Sequence, residues 1–408
     1  MKNFGLLGQK LSHSYSPAIH EAFGGYNYAL YEVEPSGLAD FMAKKDFHGL
    51  NVTIPYKQAV MEFCGELSPV AETTGSVNTL VRMPGSSGKF YGDNTDVAGF
   101  KQMVSQSGLD VEGKTVIILG AGGSSLSCCR VMKEYGAGKI VTVSRKDNNH
   151  GFLSLHKDAK ILVNATPVGM YPDTGYQPVS LDYFPKLEGV FDLIYNPART
   201  FLMMEAQQRG LPCIGGLSML VGQAAASSEI FTGQKIDRAK ELAIVEMLRR
   251  SMENIVLIGM PGCGKTSLGE CIAEKTNKTF VDTDAEIERE ANRTIPEIFN
   301  SEGESGFRKR EAAVIEKYGK KSGLVIATGG GCVTNEENYR NLRQNGCLVF
   351  IERSLDKLAR EGRPLSQGDM ADLYEKRLPL YRRFADCSVH NDKEISCVAE
   401  NIIQTIVS

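Results

Sequence analysis

The chain has no surplus of charge of either sign: 46 Lys and Arg stand against 49 Asp and Glu, a net charge of −3 over 408 residues. Without a broad positive field, nucleic acid and anionic membrane surfaces are poor partners. No stretch approaches the ~18 consecutive apolar residues of a membrane span. The opening MKNFGLLGQKLSHS is too glycine-rich and too short in apolar residues to read as an export signal. The ten cysteines include one adjacent pair, Cys128 and Cys129, but no CxxC spacing, so neither a zinc site nor a disulfide framework is expected. Reduced thiols in a cytoplasmic protein account for them better. Repeats of solenoid period and low-complexity tracts are also missing.

What is present is an ordinary globular composition, 42% hydrophobic and 23% charged, in a chain long enough for several compact units. Glycine is the exception, at 42 residues, above the usual ~7%. Two of its clusters share one context. KTVIILGAGGSS at 114–125 and NIVLIGMPGCGKTS at 254–267 each read as a buried parallel strand turning through glycines into a helix, and each marks an α/β unit. Between them, residues 237–252 place Ala239, Leu242, Ala243, Val245, Leu248 and Met252 at helical spacing behind a capping Asp237. The expected boundary follows that helix, near Glu253. Alternating segments at 28–34 and 49–55 predict a further α/β layer ahead of the first glycine loop.

In the second half, Gly259, Gly264, Lys265 and Thr266 fill GxxxxGKT, with Gly262 and Ser267 alongside. Such a loop turns backbone N–H groups toward phosphate, while the lysine meets the terminal phosphates and the hydroxyl meets Mg²⁺. Asp282 and Asp284 follow, two apart and so on one side if the strand stays extended. Their bland alternative is a helix start capped by Asp284. FRKRE at 307–311, TGGGCV at 328–333, GRPL at 362–365 and RLPLY at 377–381 complete an ordered set that resembles shikimate kinase over 253–408. The resemblance implies ATP as co-substrate, with Lys265 on the transferred phosphate, Thr266 and Asp282 toward Mg²⁺, and Asp284 at the substrate hydroxyls. Arg308 and Arg377 would hold the substrate carboxylate beside Gly329, Gly330 and Gly331. Arg363 would lie in a short lid and Arg360 against adenine. By itself, Arg308 reads as an exposed helix charge beside Glu311.

In the first half, Gly120, Ala121, Gly122, Gly123 and Ser124 form a weak dinucleotide fingerprint, since Ser125 stands where a third glycine is usual. The next strand, KIVTV at 139–143, ends in Ser144, Arg145 and Lys146, where an NAD-binding protein would place an acid. Basic residues there favour a 2′-phosphate and hence NADP(H); the alternative is a solvated strand end. The polar islands SHSYSP at 12–17, NVTIPYK at 51–57, SVNT at 76–79 and GDNTD at 92–96 precede that unit. With NATPVGM at 164–170, DLIYNPARTFL at 192–202 and GGLSMLVGQAA at 215–225, they resemble shikimate dehydrogenase over about 1–250.

That resemblance implies Lys57 and Asp96 as the catalytic pair and Ser14 and Ser16 at the substrate carboxylate. Asn51, Thr53, Asn78, Gly216 and Gln223 would surround the ring oxygens, and Leu193 the nicotinamide. The bland readings are Lys57 as a loop charge and Asp96 as a helix cap. One departure is the short stretch KDNNHGFLSLHKDA after Arg145, where the family generally carries more chain.

The expected architecture is α/β throughout. A two-lobed dehydrogenase occupies 1–252, with a substrate lobe of 1–97 plus 223–252 and a Rossmann-like NADP-binding lobe of 98–222. A P-loop kinase domain with a parallel sheet occupies 253–408. The expected activity is bifunctional, reducing 3-dehydroshikimate to shikimate with NADPH and then phosphorylating shikimate with MgATP. The rivals are a first half acting on quinate, one inactive half supporting the other, and a nucleotide-binding regulatory module without turnover.

Overall fold

The strand Thr115–Leu119 shows why its sequence is apolar at successive positions. Val116 and Ile118 enter one buried cluster with Phe100, Val131 and Phe191, whereas Ile117 and Leu119 enter another with Leu162, Val190 and Leu202. Covered on both faces, a central parallel strand has no polar side to present. A computed structural model shows this arrangement; it describes all residues except 1, 12–13, 45, 84, 86–88, 148–149, 359–369 and 408.

Three sheets carry the chain. The first runs Asn27–Glu32, Asn3–Gly8, Gly49–Val52, Thr79–Arg82, Phe90–Asp93 and Cys64–Leu67 in spatial order. It is mixed, because Thr79–Arg82 pairs antiparallel with both its neighbours. The second is parallel, in the order Cys213–Gly215, Gly189–Asp192, Ile161–Asn164, Thr115–Leu119, Lys139–Val143. The third is parallel as well: Thr279–Asp282, Leu324–Ala327, Asn254–Ile258, Gly346–Glu352, Cys387–His390. Both glycine loops leave central strands, as expected, and open the helices Gly123–Glu134 and Lys265–Thr276.

Two compact units result. One comprises Met1–Gly169, Tyr176–Tyr195 and Leu202–Met247; the other comprises Met170–Gly175, Asn196–Phe201 and Leu248–Ser408. The predicted boundary near Glu253 thus sits a few residues beyond the division, and no signal in the sequence marks the two short segments that group with the second unit. The helix Arg238–Met252 exists, but its buried stripe is Ile244, Leu248 and Met252, an i, i+4, i+8 line. Leu242, expected on that face, is 48% exposed. Among the described residues no helix is long and apolar enough to cross a membrane.

In the first unit, the helices Asp96–Ser107 and Leu217–Thr232 meet through glycine. A β-carbon at Gly99 would lie 2.4 Å from the Met219 carbonyl oxygen, and one at Gly222 would lie 2.3 Å from Gln102 Oε1. At Gly99 any larger residue would push against the partner backbone, whereas at Gly222 it would first displace the Gln102 side chain.

Candidate active sites

Strand Gly49–Val52 ends and turns through Thr53 and Tyr56 to present Lys57, whose Nζ donates to Asp96 Oδ2 at 2.7 Å. Asp96 is the first residue of its helix, and the preceding Thr95 occupies the cap position without capping through its side chain. The capping alternative for Asp96 therefore fails: its carboxylate serves Lys57 and, through Oδ1, accepts from Asn78 Nδ2 at 2.8 Å. Lys57 keeps 20% of its side chain exposed and Asp96 9%, so the ammonium reaches the surface while its partner is covered.

The other predicted residues of this unit divide into two groups. Ser14 Oγ accepts from the backbone N–H of Ser16, which begins the helix Ser16–Phe23. Gln223 Nε2 donates to Leu220 O at 3.0 Å. Thr53 lies half-buried one residue beyond the strand Gly49–Val52, its backbone N–H still donating to Leu7 O of the neighbouring strand at 2.9 Å. Asn51 is turned into the fold: Oδ1 accepts from Tyr28 Oη at 2.8 Å and Nδ2 donates to Ser227 Oγ at 2.7 Å.

At the glycine loop, Gly120 has φ 113°, and a β-carbon there would meet the Ala165 carbonyl at 2.9 Å. A β-carbon on Gly122 would find no neighbour within 4 Å, so open space stands in front of the N-terminus of Gly123–Glu134. Ala121 and Ser124 flank that space in the chain. The helix terminus and bare backbone fit a pyrophosphate. Ser144, Arg145 and Lys146 form a turn with Asp147, whose Oδ2 accepts from the Ser144 hydroxyl. Arg145 and Lys146 are exposed, and the acid in the same turn offsets part of their charge. The short following segment still contains a helix, His150–Ser154. Gly216 is a close-approach position, since a β-carbon there would lie 2.0 Å from Leu193 O.

The second unit holds a cavity of about 410 Å³ that gathers Lys265, Thr266, Ser267, Asp282, Asp284, Arg308, Gly329, Gly330, Gly331 and Arg377. Gly259, Gly262 and Gly264 have φ of 149°, 82° and 98°, which lets the loop curl around it. Lys265 Nζ donates to Gly259 O at 2.9 Å and Met260 O at 3.0 Å. Thr266 Oγ1 donates to Asp282 Oδ2 at 2.7 Å, which brings two hard oxygen ligands side by side, a donor set suited to Mg²⁺ completed by phosphate and water.

One expectation is corrected. Asp282, not Asp284, caps the helix Thr283–Ala291, accepting from the N–H groups of Asp284 and Ala285. The strand ends at Asp282, so the two acids do not share an extended face; the helical turn is what aims Asp284 into the cavity. Arg308 is likewise not an exposed charge: it donates to Glu311 Oε2 at 2.8 Å and keeps 19% of its side chain exposed. Arg377 Nη1 donates to Gly330 O at 3.2 Å and is buried.

Each glycine of the triplet is hemmed in. A β-carbon on Gly329 would lie 2.7 Å from Asp284 Oδ1, one on Gly330 would meet Pro261 Cδ at 2.7 Å, and one on Gly331 would meet Arg308. Arg360 and Arg363 lie outside the described residues.

Sequence reasoning passed over three lining or supporting groups. Glu311 is 1% exposed and its carboxyl is pushed up by burial, against the pull of Arg308. Arg353 lines the cavity, and Asn391 Nδ2 donates to Cys263 O at 2.7 Å under the phosphate loop. Glu311 stood in the quoted FRKRE, but Arg353 and Asn391 come from far along the chain and carry no local signal.

Comparison with known proteins agrees with this division. The model for the shikimate dehydrogenase substrate binding domain matches residues 6–80, that for the shikimate 5′-dehydrogenase C-terminal domain matches 216–240, and that for shikimate kinase matches 261–407. A shikimate dehydrogenase (NADP(+)) of Clostridium perfringens strain SM101 is 38% identical over 277 residues, 61% of this chain and 99% of the relative. One from Methanopyrus kandleri is 37% identical over 60% of this chain and 95% of the relative. Among solved structures, shikimate dehydrogenase 1 from Peptoclostridium difficile superposes with TM-score 0.56 at 35% identity, covering 61% of this chain and 98% of that one. A Thermus thermophilus shikimate 5-dehydrogenase in complex with NADP(H) and shikimate gives TM-score 0.54 at 29% identity, covering 60% and 99%.

Proposed function

The chain belongs to the shikimate dehydrogenase family and continues into a shikimate kinase domain, and from that premise we propose how its residues divide the work of a bifunctional shikimate-pathway enzyme. Residues 1–252 reduce 3-dehydroshikimate to shikimate, and residues 253–408 phosphorylate it. The single observation that carries the first assignment is the 2.7 Å contact of Lys57 with Asp96, placed next to the Asn78 amide. NADPH supplies the hydride for one step, and ATP with Mg²⁺ the phosphoryl group for the other.

Reduction of a ketone builds negative charge on its oxygen. The Lys57 ammonium stabilises that charge and delivers a proton, while Asp96 fixes the direction of its N–H bonds. Ser14 and Ser16 hold the substrate carboxylate at a helix start, and Thr53, Asn78 and Gln223 take the ring oxygens. Asn51 supports the pocket from behind, because its amide is already engaged. Gly120, Gly122 and Gly123 give the pyrophosphate its approach; Leu193 borders the nicotinamide, with Gly216 against it on the substrate side, and Arg145 and Lys146 face the 2′-phosphate.

In the kinase, Arg308 and Arg377 meet the substrate carboxylate as planar forks that stay charged under burial. Asp284 accepts the proton of the attacking hydroxyl, Lys265 neutralises the transferred phosphate, and Thr266 with Asp282 would hold Mg²⁺.

A coupled assay tests the whole. With dehydroshikimate, NADPH and MgATP, both NADPH loss and ADP gain are expected, and ADP should form only once shikimate is present. Quinate in place of shikimate should give little NADP⁺ reduction. Nucleotide binding without either product would instead identify a regulatory module.

A further inference from the structure

Ser227 lies one helical turn beyond Gln223 on Leu217–Thr232 and is wholly buried. Its hydroxyl is the meeting point of three side chains from other elements. Asn51 Nδ2 donates to it at 2.7 Å, and the hydroxyls of Thr79 and Thr95 each lie 2.9 Å away. Its own proton goes to Gln223 O at 2.9 Å. Thr79 Oγ1 and Thr95 Oγ1 also lie 3.0 Å and 3.1 Å from Asn78 Oδ1, which in addition accepts the backbone N–H of Thr95 at 2.8 Å.

Counting protons decides how this cluster is wired. A carbonyl oxygen offers two lone pairs, and the Thr95 N–H takes one on Asn78 Oδ1. One threonine hydroxyl can take the other. The second threonine then has Ser227 at 2.9 Å as its nearest remaining acceptor, the other threonine hydroxyl lying farther off at 3.3 Å. With Oδ1 so occupied, Asn78 presents its NH₂ to Asp96 Oδ1, leaving Oδ2 for Lys57.

We propose that Ser227 is a positioning residue for the reduction step, acting through Thr79 and Thr95 on the Asn78 amide and so on the orientation of the Asp96–Lys57 pair. Removing its oxygen leaves one threonine proton competing for Asn78 Oδ1 and takes from Asn51 its shortest acceptor. The Thr95 N–H and Asp96 still fix which way the Asn78 amide faces, but a second hydroxyl crowding its Oδ1 displaces it, and the carboxylate that steers Lys57 loosens. This inference rests on the reading of Lys57 and Asp96 as the proton-transfer pair.

The test is Ser227→Ala in the full chain, with Ser228→Ala as its control. Ser228 is buried to the same degree and accepts from Tyr26 Oη at 2.9 Å, yet it touches neither threonine nor Asn78 among the described contacts. Shikimate oxidation by Ser227→Ala should show kcat lowered about tenfold with KM for shikimate within about twofold, the pattern of a lost transition-state alignment. Kinase turnover in the same sample should be unchanged, and the retained KM reports that the pocket of the first unit is still folded. Ser228→Ala should lower the melting temperature comparably while keeping kcat.

Amide exchange at Thr95, whose N–H is held by Asn78, should quicken in Ser227→Ala alone, with no substrate needed. Near-normal kcat in Ser227→Ala, an equal fall in Ser228→Ala, or unaltered Thr95 exchange would each overturn the proposal. A wild-type chain that fails to oxidise shikimate would sink the reading beneath it instead, and Thr95 exchange would still decide the role of Ser227.

Discussion

Gly331 lies so close to Arg308 that a β-carbon on it would stand 2.3 Å from both terminal guanidinium nitrogens. The absence of a side chain is therefore what gives the arginine fork its place. Gly331→Ala should push Arg308 off its position and off Glu311. We expect KM for shikimate in the kinase reaction to rise about tenfold or more, the worth of one charge-assisted contact, with the dehydrogenase untouched. Unchanged kinase KM would remove Arg308 from the carboxylate site.

Lys57→Ala should lower kcat for shikimate oxidation by roughly 10²–10⁴, the span of general acid–base catalysis, with a much smaller rise in KM. Asp96→Asn should act in the same direction, because an amide holds the ammonium less firmly than the carboxylate it now meets at 2.7 Å. Steady-state kinetics in the oxidative direction check both. Near-normal turnover in Lys57→Ala would reject the assignment.

Asp284→Asn should suppress phosphoryl transfer by about 10² or more while leaving shikimate binding within a few-fold, since the amide cannot take up the hydroxyl proton. Asp282 gives a contrasting result. It caps the helix that carries Asp284 and receives the Thr266 hydroxyl, so Asp282→Ala should also cost about 1 kcal/mol of stability and raise the Mg²⁺ requirement. Calorimetry beside a Mg²⁺ titration separates the two acids.

His20 predicts a pH effect on folding. It is fully buried, stacked on Tyr28 with ring centroids 3.9 Å apart, and burial holds its pKa down at about 3 instead of 6.5. The native state keeps the ring neutral while the unfolded chain protonates it below pH 6.5. Its contribution is therefore present in full above that pH and is lost progressively as pH falls toward 3. Between pH 7 and 5 this single group should cost about 2 kcal/mol. Urea unfolding of wild type and His20→Phe at the two pH values should show their stability difference shift by that amount in favour of the variant at pH 5. Parallel curves would mean that the histidine is hydrated.

Chemistry that depends on chain order was readable in the sequence, and chemistry that depends on helical phase was not. The two glycine turns, GxxxxGKT being one of them, were legible because a phosphate-binding loop writes its glycines within a few positions of one another. Lys57 and Asp96 were singled out by the company of their motifs, and the fold brings them into contact although 39 residues separate them. Asp282 and Asp284 were misjudged because their spacing fits a strand and a helix start equally well, and the chain changes from one to the other between them.

On the helix Arg238–Met252, alanines and Leu242 fitted a broad stripe, but the surface it covers is narrow enough for Ile244, Leu248 and Met252 alone. Ser227 was invisible for a different reason. A serine in a helix is ordinary, and its importance comes from three partners drawn from other strands and turns.

The glycine contact between Asp96–Ser107 and Leu217–Thr232 ties Asp96 to Gln223. One helix begins with Asp96, the other carries Gln223 and Ser227, and at Gly99 and Gly222 their main chains almost touch. Two helices this close have little room to slide past one another, so Asp96 and Gln223 are held at a fixed spacing. A bulkier side chain at Gly99 would therefore shift the start of one helix against the other and part Asp96 from Gln223.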